Sequence, residues 1–278
     1  MTTIFIASLL LGTVSGVSAG LFGIGGGLII VPVLVILFTQ QNFAADLVMI
    51  MSVATSLATI IFTSISSVWA HHRLSAVAWD KVLRLGPGII IGSVLGAIVA
   101  DQMPKELLRL VFVVYLLYAA ITMALASKPK PSRKTSSVYT DSIAGIITGC
   151  LSAILGIGGG TLIVPFLVYF QMPMRNAVAV ASACGLPIAV ASTVSYILLG
   201  KSALSLPEWS IGYVYLPAFL GIVLTSVFTA PLGAKLANKI PAQQLKRYFS
   251  VLLFVMVVKL LWPYCLSLSV NMSSLLHL

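Results

Sequence analysis

The chain has 278 residues, of which 59% are hydrophobic and only 8% are charged, and its mean hydropathy is +1.11. Because soluble domains carry about 25% charged residues, this composition excludes a water-soluble protein and indicates one that has the lipid bilayer as its solvent. The net charge of +10 does not indicate a nucleic-acid partner, since the basic residues lie between apolar runs and form no basic stripe. The 3 cysteines fit neither a disulfide framework nor a metal site, and we expect no cofactor.

Runs without Asp, Glu, Lys or Arg divide the chain into candidate membrane spans, each of which needs about 20 residues. In the first half, a long run at 1–45 is followed by three shorter runs, at 47–72, 85–100 and 110–127. The second half has the same order, with a long run at 142–174 and then runs at 176–200 and 209–234 and an apolar region from 248 onward. The two long runs exceed one span, and both contain the sequence GIGGG.

The long runs are copies of one another. Seven positions recur 133 residues later: Gly12, Gly16, Gly23, Gly25, Gly26, Gly27 and Pro32 correspond to Gly145, Gly149, Gly156, Gly158, Gly159, Gly160 and Pro165. The chain is therefore a tandem duplication, with a first repeat at 1–127, a Pro/Ser/Lys-rich linker at 128–141 and a second repeat at 142–278. Since the N-terminal run has a copy in mid-chain and no basic segment precedes it, we expect it to be retained and not cleaved as a signal peptide.

The basic residues predict the orientation of the repeats. If the GIGGG segment of each repeat returns to its own side, 12 of the 16 Lys and Arg residues face the cytoplasm and 3 face the other side. If the segment crosses once, the distribution is eight against seven. The positive-inside rule favours the first arrangement, in which the second repeat is inverted, the linker is cytoplasmic and both termini are extracytoplasmic.

The arms of the GIGGG segment predict a re-entrant hairpin. In the second repeat, 14 residues precede the tip and 10 follow it, which at about 1.5 Å per residue gives roughly 21 and 15 Å. Both lengths are below the hydrocarbon thickness of about 30 Å, so two full spans are the less favoured alternative. The predicted fold is all-α and polytopic, with two inverted-topology repeats, each a Gly-tipped re-entrant helical hairpin plus three transmembrane helices.

The glycine tips are candidate anion sites. Consecutive glycines leave backbone N–H groups unscreened directly before a new helix, where the helix dipole also attracts negative charge. Two opposed tips near the midplane would bind an anion without any lysine, as in transporters with broken helices. The other interpretation is that these glycines only form a tight turn. The candidate substrate-binding glycines are Gly23, Gly25, Gly26, Gly27, Gly156, Gly158, Gly159 and Gly160.

The span after each tip carries polar side chains that could hydrogen-bond an oxyanion: Ser52, Thr55 and Ser56 in the first repeat, and Ser182 and Cys184 in the second. Such groups often bond only to their own helix backbone. Pro32 and Pro165 follow the tips at equal distance and are assigned a structural role in the exit arms.

Few ionisable side chains could couple transport to a proton or sodium gradient. All six carboxylates fall at predicted span ends, so no midplane carboxylate provides a proton or sodium site. Lys259 lies within a predicted helix, where charges are functional candidates, although its side chain could snorkel to the interface. His71 ends a predicted span and could titrate near neutral pH or have an interfacial role. These two residues are possible coupling residues.

The paired GxxxGxxxGxxGIGGGxxxxP motif, together with PLGAKLANKIPAQQLKRYF near the end, resembles the sulfite exporter TauE/SafE family, also called the toluenesulfonate uptake permeases. The resemblance implies a bacterial inner-membrane transporter of a small sulfur-containing anion, such as sulfite, thiosulfate, sulfoacetate or another organosulfonate. The second copy departs from the first, with Ala153 where Gly20 stands and Cys184-Gly185 where Thr55-Ser56 stands.

The expected function is secondary transport of such an anion by alternating access, and not catalysis. An anion channel would share the scaffold and differ in rate. A membrane-embedded hydrolase would need a serine facing a histidine, yet no histidine lies in mid-span. Glycine-rich helix faces could pack within one chain or between two, which leaves a homodimer possible.

Overall fold

The computed structural model describes residues 2–22, 25–73, 76–125, 136–203, 205–236, 250–251 and 253–260. Nine α-helices account for most of them: α1 (Thr2–Phe22), α2 (Gly27–Gln40), α3 (Ala45–Arg73), α4 (Trp79–Gln102), α5 (Lys105–Leu125), α6 (Val138–Leu155), α7 (Gly160–Tyr169), α8 (Met174–Leu199) and α9 (Leu216–Leu236). Residues 250–251 and 253–260 are also helical and form the C-terminal segment. Within the described residues, seven helices are long and apolar enough to cross a membrane, so the protein is a multi-pass membrane protein.

The incoming arm of the second tip is longer than the 14 residues predicted. The helix α6 begins at Val138 because the Ser137 side chain caps it by accepting a hydrogen bond from the Thr140 N–H at 3.2 Å. It therefore has 18 residues, and α1 has 21. These helices extend about 27 and 31 Å, close to the hydrocarbon thickness. The outgoing arms α2 and α7 are short, with 14 and 10 residues.

The chain departs from the helical prediction between α8 and α9. A 3-10 turn at Gly200–Ser202 is followed by a two-stranded antiparallel hairpin, β1 (Ser210–Ile211) paired with β2 (Val214–Tyr215). Trp209 and Gly212 have φ angles of 67° and 54°. Since the left-handed region does not continue a right-handed helix, the run predicted at 209–234 is helical only from Leu216.

The first helix packs against the ninth through a glycine face. A Cβ atom at Gly12 would lie 2.9 Å from the Cα of Ile222, and one at Gly16 would lie 2.7 Å from the Cα of Ser226. The contacts advance in the same direction along both helices, so α1 and α9 are parallel. Side chains larger than hydrogen are excluded here because the two backbones approach closely.

An equivalent contact joins α4 and α6. A Cβ atom at Gly92 would lie 2.9 Å from the Cα of Ile146, and one at Gly96 would lie 2.9 Å from the Cβ of Ala153. These two helices are therefore also parallel. In both contacts the first helix of one repeat packs against the fourth helix of the other repeat, and both glycine faces pack within one chain.

The third helix of each repeat lies at the centre of the protein. Of the residues in their spans, 83% are buried in α3 and 72% in α8, against 33% in α5 and in α9. The two central helices are antiparallel, because Ser64 contacts Gly185 and the later Ser67 contacts the earlier Ser182. The outer helices α4, α5 and α9 expose apolar side chains to the surroundings, as lipid-facing helices do.

Candidate functional site

The first glycine tip turns through the left-handed region. Gly25 and Gly26 have φ angles of 67° and 81°, which other residues adopt only with strain. Gly26 caps α2, and its carbonyl oxygen accepts hydrogen bonds from the N–H groups of Ile29 and Ile30 at 3.0 and 3.1 Å. Both glycines are buried. Of the predicted glycines, Gly23 lies outside the described residues.

The second tip reaches its helix by a different path. Gly156 ends α6 with a φ angle of 70°, while Gly159 caps α7 with a φ angle of −62°. The Gly159 carbonyl oxygen accepts hydrogen bonds from the N–H groups of Leu162 and Ile163 at 3.1 and 2.7 Å. All glycines of this tip are buried.

The two tips contact each other. A Cβ atom at Gly27 would clash with the carbonyl oxygen of Gly156 and would lie 2.8 Å from the Cα of Ile157. At Gly156 itself, an added Cβ would lie 2.9 Å from the Cα of Val53, on the central helix α3. The tips therefore lie side by side against α3, at a distance that only glycine permits.

Of the three candidate hydroxyls on α3, Ser56 reaches a tip. Its Oγ donates a buried hydrogen bond of 2.7 Å to the carbonyl oxygen of Gly156. The Oγ1 of Thr55 accepts a hydrogen bond of 3.0 Å from the N–H of Tyr215 in β2. Ser52 donates to the carbonyl oxygen of Val48 in its own helix, at 2.7 Å, as the alternative interpretation expects.

In the second repeat, Ser182 lies opposite an α3 hydroxyl that the sequence analysis did not select. Its Oγ accepts a hydrogen bond of 3.4 Å from the Oγ of Ser67. Cys184 is fully buried. Thr63, also not selected, donates to the Gly25 carbonyl oxygen at 3.5 Å. Both missed residues continue the helical spacing of Ser52 and Ser56 along α3, which is the signal that could have found them.

A tyrosine from the first repeat reaches the start of α7. Tyr115 lies in the middle of α5, and its hydroxyl oxygen is in hydrogen-bond contact with the Oγ1 of Thr161. Thr161 is the second residue of α7 and directly follows Gly160. The sequence analysis missed Tyr115, although a hydroxyl in the middle of an apolar span is itself a signal. Pro32 and Pro165 lie inside α2 and α7, which continue through them.

The candidate coupling residues take no part in the tip contacts described above. His71 is only 3% exposed and is hydrogen-bonded to the backbone of Gly20 in α1. The side chain of Lys259 is exposed on the C-terminal segment. Asp141, expected at a span end, is fully buried and pairs with the Nζ of Lys81 at 2.9 Å. Within the described residues, no group of three His, Cys, Asp or Glu side chains could hold a metal ion.

Comparison with known proteins identifies the family. The profile of the family described as "Sulfite exporter TauE/SafE" matches residues 8–260. The chain belongs to the sulfite exporter TauE/SafE family. Among TauE/SafE relatives, a probable membrane transporter protein of Haemophilus influenzae is 36% identical, over 94% of this chain and 99% of its own length.

More distant relatives have the same description. A probable membrane transporter protein of Methanocaldococcus jannaschii is 28% identical, over 89% of this chain and 92% of its own. The probable membrane transporter protein YunE of Bacillus subtilis is 26% identical, over 93% and 97% of the two chains. No solved structure matches the chain. TauE/SafE membership and the names of these relatives indicate a membrane transporter.

Proposed function

We propose that the protein is a secondary transporter that moves a small sulfur-containing anion across the inner membrane by alternating access. Sulfite, thiosulfate, sulfoacetate and other organosulfonates are the substrate class. The observation that carries the proposal is the contact between Gly27 and Gly156, where two glycine tips lie together in the buried centre. Anions are bound well by such helix N-termini, where N–H groups and the helix dipole act together.

The packing supports inverted repeats. The chain direction reverses at each tip and at each short connection, so α1, α3 and α5 have one direction and α2 and α4 the other. Because α6 is parallel to α4, α9 is parallel to α1 and α8 is antiparallel to α3, the helices at corresponding places in the repeats have opposite directions. In this arrangement α2 and α7 are the short arms of re-entrant hairpins, of about 21 and 15 Å.

The hydroxyl groups around the tips are hydrogen-bonded to other groups of the protein. The Ser56 hydroxyl is bonded to the Gly156 carbonyl oxygen, and the Thr55 hydroxyl to the N–H of Tyr215. For these hydroxyls to bind an anion, the tips and α3 have to separate. Alternating access through relative movement of the two repeats would provide that separation.

Transport by purified protein in liposomes tests the proposal. Labelled sulfite, thiosulfate and sulfoacetate are supplied under an imposed proton gradient or membrane potential. We expect uptake by wild type, and a large loss in Gly27→Ala, because the added methyl group pushes the two tips apart. Gly86→Ala is the matched control, since a Cβ atom at Gly86 meets nothing within 4 Å.

Three outcomes separate the alternatives. Absence of uptake of every tested anion by folded wild type contradicts the proposal. Equal uptake by Gly27→Ala and Gly86→Ala would show that the contact between the tips has no role in transport. Single-channel currents carried by the same anions indicate an anion channel.

A further inference from the structure

A cavity of about 470 Å³ lies between the outgoing arm of the first hairpin, the start of α5 and the C-terminal segment. It is separate from the glycine tips. Its lining residues are Val35, Ile36, Thr39, Gln40, Arg109, Val258, Lys259 and Leu260.

The cavity wall carries two positive charges. Arg109 is fixed there by a hydrogen bond of 2.7 Å from its Nη2 to the carbonyl oxygen of Leu260, next to Lys259. None of the eight described lining residues is acidic. Asp46 on α3 pairs with Lys105, one turn before Arg109, and Glu106 lies three residues before Arg109 on α5. A wall that carries two basic side chains attracts an anion.

The rest of the cavity wall is apolar. Val35, Ile36, Val258 and Leu260 supply aliphatic surface. Both α5 and the C-terminal segment also expose apolar side chains, with Val114 58% and Val255 50% exposed. A small hydrophilic anion gains nothing from contact with an apolar wall, whereas hydrocarbon chains pack against it favourably.

The position of Arg109 near the start of α5 fits a lipid headgroup. Arg109 lies four residues after Lys105, the first residue of α5, which is about 6 Å from the helix end. The phosphate of a phospholipid lies near this depth, between the aqueous phase and the hydrocarbon. Basic pockets between membrane helices bind anionic headgroups in this way.

We propose that this cavity binds an anionic phospholipid, with the phosphate between Arg109 and Lys259 and an acyl chain on the exposed apolar faces. The lipid would join α2, α5 and the C-terminal segment. This site is independent of the transported anion.

Native mass spectrometry of the full chain, released from detergent with added phosphatidylglycerol or phosphatidylcholine, tests the proposal. We expect wild type to retain phosphatidylglycerol in preference to phosphatidylcholine. Lys259→Gln should bind phosphatidylglycerol about five-fold more weakly, as loss of one lysine contact implies. Lys201→Gln is the matched control, because Lys201 is also exposed and lies away from the cavity.

Lys259 is exposed, so its replacement should leave the fold intact, which thermal unfolding of the same samples checks. Equal retention of phosphatidylglycerol by wild type and Lys259→Gln overturns the proposal. A second arm replaces the lipid with inorganic phosphate or sulfate. If these ions displace phosphatidylglycerol completely at millimolar concentration, the cavity is a solute-anion site and the lipid assignment is wrong.

Discussion

The Oγ of Ser56, in the central helix of the first repeat, donates a buried hydrogen bond of 2.7 Å to the carbonyl oxygen of Gly156, in the tip of the second repeat. The bond joins two residues 100 positions apart. Ser52, one turn earlier, bonds only within its own helix. The two serines thus have the same burial and different partners, which makes them a matched pair.

Ser56→Ala should lower the free energy of unfolding by about 1–3 kcal/mol, because the buried Gly156 carbonyl oxygen loses its partner. Ser52→Ala should lower the free energy of unfolding by less. The variant leaves no buried group without a partner, because the Val48 carbonyl oxygen keeps its hydrogen bond within the helix. Thermal unfolding of both variants in detergent measures the difference. Equal melting temperatures would show that the Ser56 bond adds nothing to tip stability.

Lys81→Met should be strongly destabilising, by about 3–5 kcal/mol, because it leaves the fully buried carboxylate of Asp141 without its cation. The double variant Lys81→Met/Asp141→Leu should recover most of the loss, as removal of both charges leaves no unpaired ion. Thermal unfolding of the two single variants and the double variant forms a complete cycle. Lys235→Met, at an exposed lysine of α9, is the control. A double variant no more stable than Lys81→Met would contradict this account.

Tyr115→Phe should weaken anion binding at least ten-fold if the substrate lies at the start of α7, since a hydrogen bond to a charged group contributes about 1.5–3 kcal/mol. This prediction depends on the proposed function. The measurement is the thermal shift produced by sulfite or an organosulfonate. Tyr118→Phe is the matched control, because Tyr118 lies on the same helix and is 58% exposed. The same shift in both variants would place the anion elsewhere.

Tyr213, in the hairpin outside the spans, should make stability depend on alkaline pH. Burial, together with the hydrogen bond of 2.8 Å to Asp101, raises the pKa of Tyr213 to about 12 from its ordinary value of 10.0. Between these pH values Tyr213 keeps its proton in the folded state and loses it in the unfolded state. The stabilisation of the fold by protonated Tyr213 is therefore complete below pH 10 and is lost as pH rises through 12.

Tyr213→Phe should therefore show a smaller decrease in melting temperature than wild type between pH 10 and pH 12. Tyr169→Phe, at a tyrosine that is 46% exposed, should follow wild type. Identical pH profiles for all three proteins would exclude a role of the Tyr213 proton in stability.

The sequence was sufficient for features that depend on local pattern. The charge-free runs at 47–72 and 176–200 lie within two residues of α3 and α8, because the length of an apolar run determines how much helix the bilayer accommodates. Gly25 and Gly26 adopt the left-handed angles expected of consecutive glycines in a turn. Two opposed tips were also expected, and Gly27 of the first tip contacts Gly156 of the second.

Features that depend on tertiary contacts were not accessible. From the sequence, Asp141 was expected at the end of a span. Its burial follows from the packing of α6 against α4, which brings Lys81 beside it. The hairpin at 210–215 lies in an uncharged run indistinguishable from a span until the φ angles of Trp209 and Gly212 are known. Tyr115 and Thr161 lie 46 positions apart and in different repeats, so no spacing rule links them.

The first helix of each repeat packs against the other repeat, and this arrangement has a consequence for biogenesis. Since α1 packs against α9, the helix is synthesised long before its partner. Until α9 is inserted, the glycine face of α1 lies in the bilayer without the helix that covers it in the folded protein. The α4–α6 contact can form as soon as α6 is inserted. We therefore expect assembly to begin in the middle of the chain and to be completed only when the first membrane helix meets one of the last.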